Sequence, residues 1–150
     1  MEERYYLAYG SNLNKKQMSD RCPTSTVIGC STLNDYYLLF KKSSSGSYLT
    51  VEKQEGSIVP LGVWKVSKEE EALLDRREGC PTWYYKKEID VVLKETGKTI
   101  HGFIYILRET KPFGVPKTDY VNRCRKGYED FGFDEAILNK AVDDSKKKVL

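Results

Sequence analysis

Glu78 closes a segment, residues 67–78, whose spacing predicts a helix, and it carries the wrong charge for that place. The C-terminal end of a helix is the negative end of its backbone dipole, so a carboxylate there is disfavoured. Leu74 lies four residues earlier and therefore on the same face as Glu78. Burial of that face and the dipole would both raise the Glu78 pKa, as general acid/base work near neutral pH requires. An exposed Glu78, offset by Arg76 or Arg77, fits the same spacing, and helix geometry alone leaves both readings open.

A second feature is the run Ala8-Tyr9-Gly10-Ser11-Asn12-Leu13, where a strand-like segment ends just before a helix start. Such a turn gathers several backbone N–H groups in one place, which suits an anion or the oxyanion of a tetrahedral intermediate. Gly10 permits close backbone approach, and Ser11 and Asn12 add side-chain hydrogen bonds. An ordinary capping turn has the same composition. His101 is the only histidine, so any Ser/His or Cys/His system must use it. Ser11 is not within G-x-S-x-G, Cys80 has no partner in the local sequence, and His101 reads as a packed or surface residue of an alternating strand. No P-loop or dinucleotide fingerprint occurs, and a single histidine argues against a transition-metal site.

The elements that must hold these residues form a β-rich series. Apolar and β-branched patterning predicts strands over residues 4–9, 25–30, 35–41, 47–52, 58–66, 84–92 and 99–107. A short helix is expected within 14–20, stopping before Pro23. Ser43-Ser44-Ser45-Gly46-Ser47 reads as a turn between strands. Ser67 and Glu70 form a capping box that opens the 67–78 helix; Gly79 suits its left-handed end and Pro81 prevents continuation. A further helix begins near Pro116 to Thr118, with Tyr120, Cys124 and Tyr128 on one face. Another, capped by Asp134, carries the stripe Ile137, Leu138, Ala141 and Val142.

The chain of 150 residues fits one domain, 1–150, able to bury roughly two-thirds of its unfolded surface. Its formal net charge of +3 is mild, and Lys146-Lys147-Lys148 reads as a solvated tail, so nucleic acid is not expected as a partner. Met1-Glu2-Glu3-Arg4 leads into a strand without an apolar leader, and no run reaches the ~20 apolar residues of a membrane helix. Four cysteines without C-x-x-C spacing fit reduced thiols in a cytoplasmic protein, although a Cys22–Cys30 disulfide is compatible with the sequence. The eleven tyrosines suit the wall of a polar cavity, and equally amphipathic packing.

Taken together, four ordered motifs resemble the γ-glutamylcyclotransferase superfamily, with its AIG2-like and BtrG-like members. Tyr6-Leu7-Ala8-Tyr9-Gly10-Ser11-Asn12-Leu13, with Gln17-Met18 and Arg21-Cys22-Pro23, is similar to its N-terminal signature. Pro60-Leu61-Gly62-Val63-Trp64-Lys65-Val66 resembles its central strand. Leu74-Asp75-Arg76-Arg77-Glu78-Gly79-Cys80-Pro81-Thr82-Trp83-Tyr84 resembles the segment holding its catalytic glutamate. Pro116-Lys117-Thr118-Asp119-Tyr120, leading to Gly127-Tyr128, resembles its late helix. The family's A-T-I-x-P stretch is altered here to Tyr48-Leu49-Thr50-Val51-Glu52.

The resemblance implies an α+β fold: a small mixed β-barrel-like sheet, flanking helices, one central cavity, and no metal or organic cofactor. It implies Glu78 as general acid/base and Tyr6, Leu7, Ala8, Tyr9, Gly10, Ser11, Asn12 and Tyr120 as substrate-binding residues. The implied reaction is attack of a γ-glutamyl α-amine on its own δ-carbonyl, an acyl transfer releasing 5-oxoproline and an amine. The alternatives are a related γ-glutamyl-amine or modified-metabolite cyclotransferase and a non-catalytic small-molecule binder with the same cavity. A monomer and a homodimer are both compatible.

Overall fold

β1 (Glu3–Ala8) is the strand around which the sheet is ordered, since it pairs antiparallel with β3 (Ser47–Ser67) and parallel with β5 (Thr99–Leu107). β2 (Thr26–Lys42) and β4 (Tyr84–Val92) complete the order β2-β3-β1-β5-β4. This is a computed structural model, and it describes residues 3–149. Met1, Glu2 and Leu150, the ends of the one-domain reading and of the leader-free start, lie outside the described residues. The mixed α+β expectation holds. The sheet curls without closing: Lys94 N–H donates to Cys30 O at 2.9 Å and Ser31 Oγ to Val92 O at 2.7 Å, drawing β2 toward the end of β4.

The four strands expected over 25–30, 35–41, 47–52 and 58–66 are two long ones. Polar Asn34, Asp35 and residues 53–57 look like breaks to local propensity, but cross-strand pairing decides. The ladder runs from Asn34↔Ile58 to Tyr36↔Lys53 across a bulge. Asp35 adopts φ 63° there and accepts from Gly56 N–H at 3.0 Å. Residues 59–64 of β3 and 103–107 of β5 are buried throughout, as strands covered on both faces must be.

α1 (Lys15–Arg21) follows a single 3₁₀ turn, Ser11–Leu13. α2 (Lys68–Arg77) begins at the expected capping box: Glu70 N–H donates to Ser67 Oγ at 3.1 Å, and Ser67 N–H to Glu70 Oε1 at 3.2 Å. Glu70 Oε2 also accepts from Thr24 N–H at 2.9 Å, tying the chain after α1 to α2. α3 (Thr118–Phe131) buries Val121, Cys124, Gly127 and Tyr128. α4 (Glu135–Val149) buries Leu138, Ala141 and Ser145, and Ala136 N–H donates to Asp134 Oδ1 at 3.0 Å. Lys146, Lys147 and Lys148 form the last turn of α4 instead of a free tail, where positive charge complements the dipole. Among the described residues no helix is long and apolar enough to cross a membrane. All four cysteines are free thiols, so Cys22 and Cys30 are not bonded.

Candidate active site

α2 stops at Arg77, and the connection to β4 turns Glu78 inward. Glu78 N–H still donates to Leu74 O at 2.9 Å, while Gly79 adopts φ 62°, which favours glycine. Trp83 N–H then donates to Gly79 O at 2.8 Å and closes the turn. This turn, the end of β1, the β2–β3 turn and the start of α3 surround a cavity of about 430 Å³. Tyr6, Tyr9, Gly10, Ser11, Asn12, Glu78 and Tyr120 all line it.

Burial pushes the Glu78 carboxyl up from 4.5 to about 7, although the charges of Arg21 and Arg77 pull the other way. Desolvation is thus the dominant cause. Among the described residues none donates a hydrogen bond to this carboxyl or forms an ion pair with it, so the exposed, neutralised alternative does not describe it. Among the described residues it is the only acid lining the cavity.

The loop after β1 is braced from behind. Asn12 Nδ2 donates to the Tyr6 hydroxyl at 2.9 Å, and Asn12 Oδ1 accepts from Gln17 Nε2 at 3.0 Å and Arg21 Nη1 at 2.9 Å. Gln17 Nε2 also donates to Ser11 Oγ at 2.9 Å. Leu13 N–H and Asn14 N–H bond back to Gly10 O and Ser11 O. No acceptor among the described residues takes the Ser11 and Asn12 N–H groups, as the start of a helical turn leaves them.

Besides Tyr48, five tyrosines line the cavity: Tyr6, Tyr9, Tyr84, Tyr105 and Tyr120. Burial first, with Glu78's charge among the lesser causes, raises the pKa of each, so all stay neutral. Their protons are committed differently. Tyr9 donates to Tyr105 O at 2.6 Å, Tyr84 to Leu49 O at 3.0 Å, and Tyr105 to Asp75 Oδ1 at 2.5 Å. Tyr6 accepts from Asn12, which leaves its hydroxyl proton available to a bound molecule, whereas Tyr120 accepts from Leu49 N–H at 3.2 Å and also hydrogen-bonds Cys124.

Leu7 and Ala8 stand apart from the other residues of the signature. Both are core residues and neither lines the cavity; Leu7, next to Tyr6 in a strand, points to the opposite face and packs on Gly102. Sequence reasoning missed Arg21, Arg76, Arg77 and Arg123, the aromatic side chains Tyr48, Trp83, Tyr84 and Tyr105, and the turn residues Ser43 to Ser45. The last had a signal, since a small polar loop between strands is where sites are commonly carried. His101 lies on β5 outside the cavity lining, exposed, bonded to Asp90 at 2.8 Å and Glu88 at 2.9 Å. No cavity-lining residue is a histidine or cysteine. Substituting His101 by alanine is therefore expected to leave turnover within about twofold, whereas a hydrolase using it would lose activity.

Among the described residues no group of three His, Cys, Asp or Glu side chains is placed to hold a metal ion. The family profile described as gamma-glutamyl cyclotransferase, AIG2-like, matches residues 6–122. A gamma-glutamylcyclotransferase of Bos taurus is 31% identical over 106 residues, which is 66% of this chain and 56% of that protein. The chain thus spans little more than half the length of that relative. A solved gamma-glutamyl cyclotransferase is 27% identical with a TM-score of 0.83, covering 93% of this chain and 86% of its own. A structure of an uncharacterized protein from Homo sapiens is 28% identical with a TM-score of 0.83, over 94% and 87% of the two chains. YkqA from Bacillus subtilis, at 18% identity and a TM-score of 0.78, shares the fold over 99% of this chain and 56% of that one.

Proposed function

Because the chain belongs to the AIG2-like γ-glutamylcyclotransferase family, we propose that it closes a γ-glutamyl compound into 5-oxoproline and releases the amine it carried. The observation that carries this reading is Glu78: one acid, desolvated to a pKa of about 7, facing a polar cavity with no partner of its own.

The α-nitrogen enters as an ammonium and is not nucleophilic until it loses a proton. Glu78 takes that proton, the nitrogen attacks the δ-carbon, and the carbonyl oxygen becomes an oxyanion. Ser11 and Asn12 line the cavity, and their free N–H groups would receive that charge. When the intermediate collapses, the amide C–N bond breaks and the ring carbonyl reforms. Ring closure moves two protons from the α-nitrogen to the departing nitrogen, and one carboxyl cycling between its two forms can carry them in turn. No water is consumed. Tyr6, with a proton to donate, and Tyr120, also on the cavity lining, would orient the α-carboxylate. Since nucleophile and electrophile share one molecule, holding it folded removes much of the entropic barrier. Four free thiols support a reducing, cytoplasmic setting, and the reading treats 1–150 as one functional unit.

The test is incubation with γ-glutamyl dipeptides, γ-glutamyl amines and glutathione, following 5-oxoproline and free amine together. Equimolar appearance of both is expected; absence across the panel would refute the reading. The pH profile is a second check. Glu78 must be ionised to accept a proton, so kcat/KM should rise with pH along an acid limb whose midpoint is about 7. A midpoint near 4.5, the ordinary carboxylate range, would mean that the working group is a hydrated one.

A further inference from the structure

Four of the seven arginines line the cavity, and none of these four forms an ion pair among the described residues. Away from it, Arg4 pairs with Glu71 and Glu88, Arg125 with Glu135, and Arg108 donates to the carbonyls of Pro81 and Thr82. Among the cavity arginines, Arg21 holds only the neutral Asn12 amide. The Arg76 and Arg77 side chains make no hydrogen bond or ion pair among the described residues, and Arg123 lies 5.9 Å over the Tyr120 ring. Against these four cations stands a single carboxyl.

Glu78 does not account for them. If their function were to hold it ionised, its pKa would fall, yet burial keeps it near 7. Nor does the minimal substrate account for them. A γ-glutamyl amide of a simple amine carries one carboxylate and one ammonium, and is neutral overall. Arginine is the side chain whose planar fork matches a carboxylate, often through two parallel hydrogen bonds. Arg76 and Arg77 end α2 beside the base, and Arg123 lies three residues beyond Tyr120 on α3.

We propose that the physiological leaving amine is itself acidic, an α-amino dicarboxylate as in γ-glutamyl-glutamate, with Arg76, Arg77 and Arg123 receiving the carboxylates of the departing half. This rests on the cyclotransferase reading above and sets the substrate class within it. Such a substrate carries three carboxylates and one ammonium and matches the excess of unpaired positive charge. γ-Glutamyl amines with neutral or cationic leaving groups leave these exposed arginines to water.

The experiment compares γ-glutamyl-glutamate with γ-glutamyl-glutamine, nearly identical in shape and differing by one charge. The acid is expected to have a kcat/KM about tenfold higher or more, the scale of one charge-assisted pair. The ratio should shrink as salt screens these exposed arginines, and R76Q and R123Q should each lower it. A ratio near one, or one indifferent to both substitutions, overturns the assignment. If neither compound is turned over, binding to the purified protein followed by tryptophan fluorescence still decides, because Trp83 lines the cavity. Tighter binding of γ-glutamyl-glutamate would keep the acidic ligand class and discard the reaction, while equal binding would discard the class.

Discussion

Replacing Glu78 by glutamine is expected to cut 5-oxoproline formation by at least about a hundredfold and, at pH 8, to raise the melting temperature. The loss follows from chemistry: glutamine has almost the same shape but cannot accept the ammonium proton, and general-base catalysis contributes about a hundredfold or more. The stability gain follows from the same burial. A carboxyl whose pKa rises from 4.5 in the unfolded chain to about 7 in the folded one is protonated in both states at pH 4. Between those values the folded state holds a proton that the unfolded state has released, so stability falls as pH rises. Above about pH 7 both states are ionised, and the folded state bears the full desolvation cost, about 3 kcal/mol at most. Glutamine has no charge to desolvate. The variant should therefore match the parent at pH 4 and exceed it at pH 8 by up to roughly 6–12 °C, given ~2–4 °C per kcal/mol in a domain of this size. Near-normal turnover would remove Glu78 from its role. A melting difference that does not change with pH would mean that the carboxyl is hydrated in the folded protein.

That pairing of lost activity with gained stability separates a working acid from a structural one. A glutamate retained for packing or capping costs stability when replaced, as Glu70 would, since it bonds Thr24 and Ser67 at once. Glu78 accepts nothing from the chain, so the fold gains nothing evident from its charge. A local rule broken without structural return is the pattern expected at a functional position.

The parts of the fold legible in the sequence are those settled within a few residues. The Ser67–Glu70 box, the left-handed Gly79 and the alternating strands β4 and β5 all stand where local patterning puts them. β2 and β3 were not legible as single strands, because their polar middles are carried by pairing between residues far apart in the chain. The site divides the same way. Glu78 and the Gly10 loop announce themselves by residue type at an element's end. Arg123, Tyr84 and Tyr105 reach the cavity only because α3, β4 and β5 fold around it, and no spacing in the chain marks them. Leu7 and Ala8 show the converse: a contiguous motif suggested seven neighbouring residues, Tyr6 to Asn12, but Leu7 turns to the opposite face of β1 and Ala8 is covered within the core.

Gly127→Val is expected to destabilise the protein by about 3 kcal/mol, lowering the melting temperature by roughly 6–12 °C, and to weaken substrate binding as well. Gly127 lies inside α3, where intrinsic propensity alone makes glycine the worse choice by about 1 kcal/mol relative to alanine. Space decides otherwise. A Cβ at this position would lie 2.6 Å from Leu13 Cβ and 2.7 Å from Asn14 N. The second of these is backbone, in the segment that follows the 3₁₀ turn, so it cannot rotate aside as a flexible side chain would. Overpacking of about 1–3 kcal/mol for a small intrusion exceeds the propensity gain, and valine adds two further methyl groups to the clash. The only relief is to move α3 away from the Ser11–Leu13 turn. The turn supplies Ser11 and Asn12 to the cavity lining and α3 supplies Tyr120 and Arg123, so relief of the clash shifts one set of lining residues against the other. KM should accordingly rise while the pH midpoint set by Glu78 on α2 stays near 7. Gly127→Ala should move melting temperature and KM in the same directions by less. An unchanged melting temperature in the valine variant would show that α3 and the turn are not held in the contact on which this geometry depends.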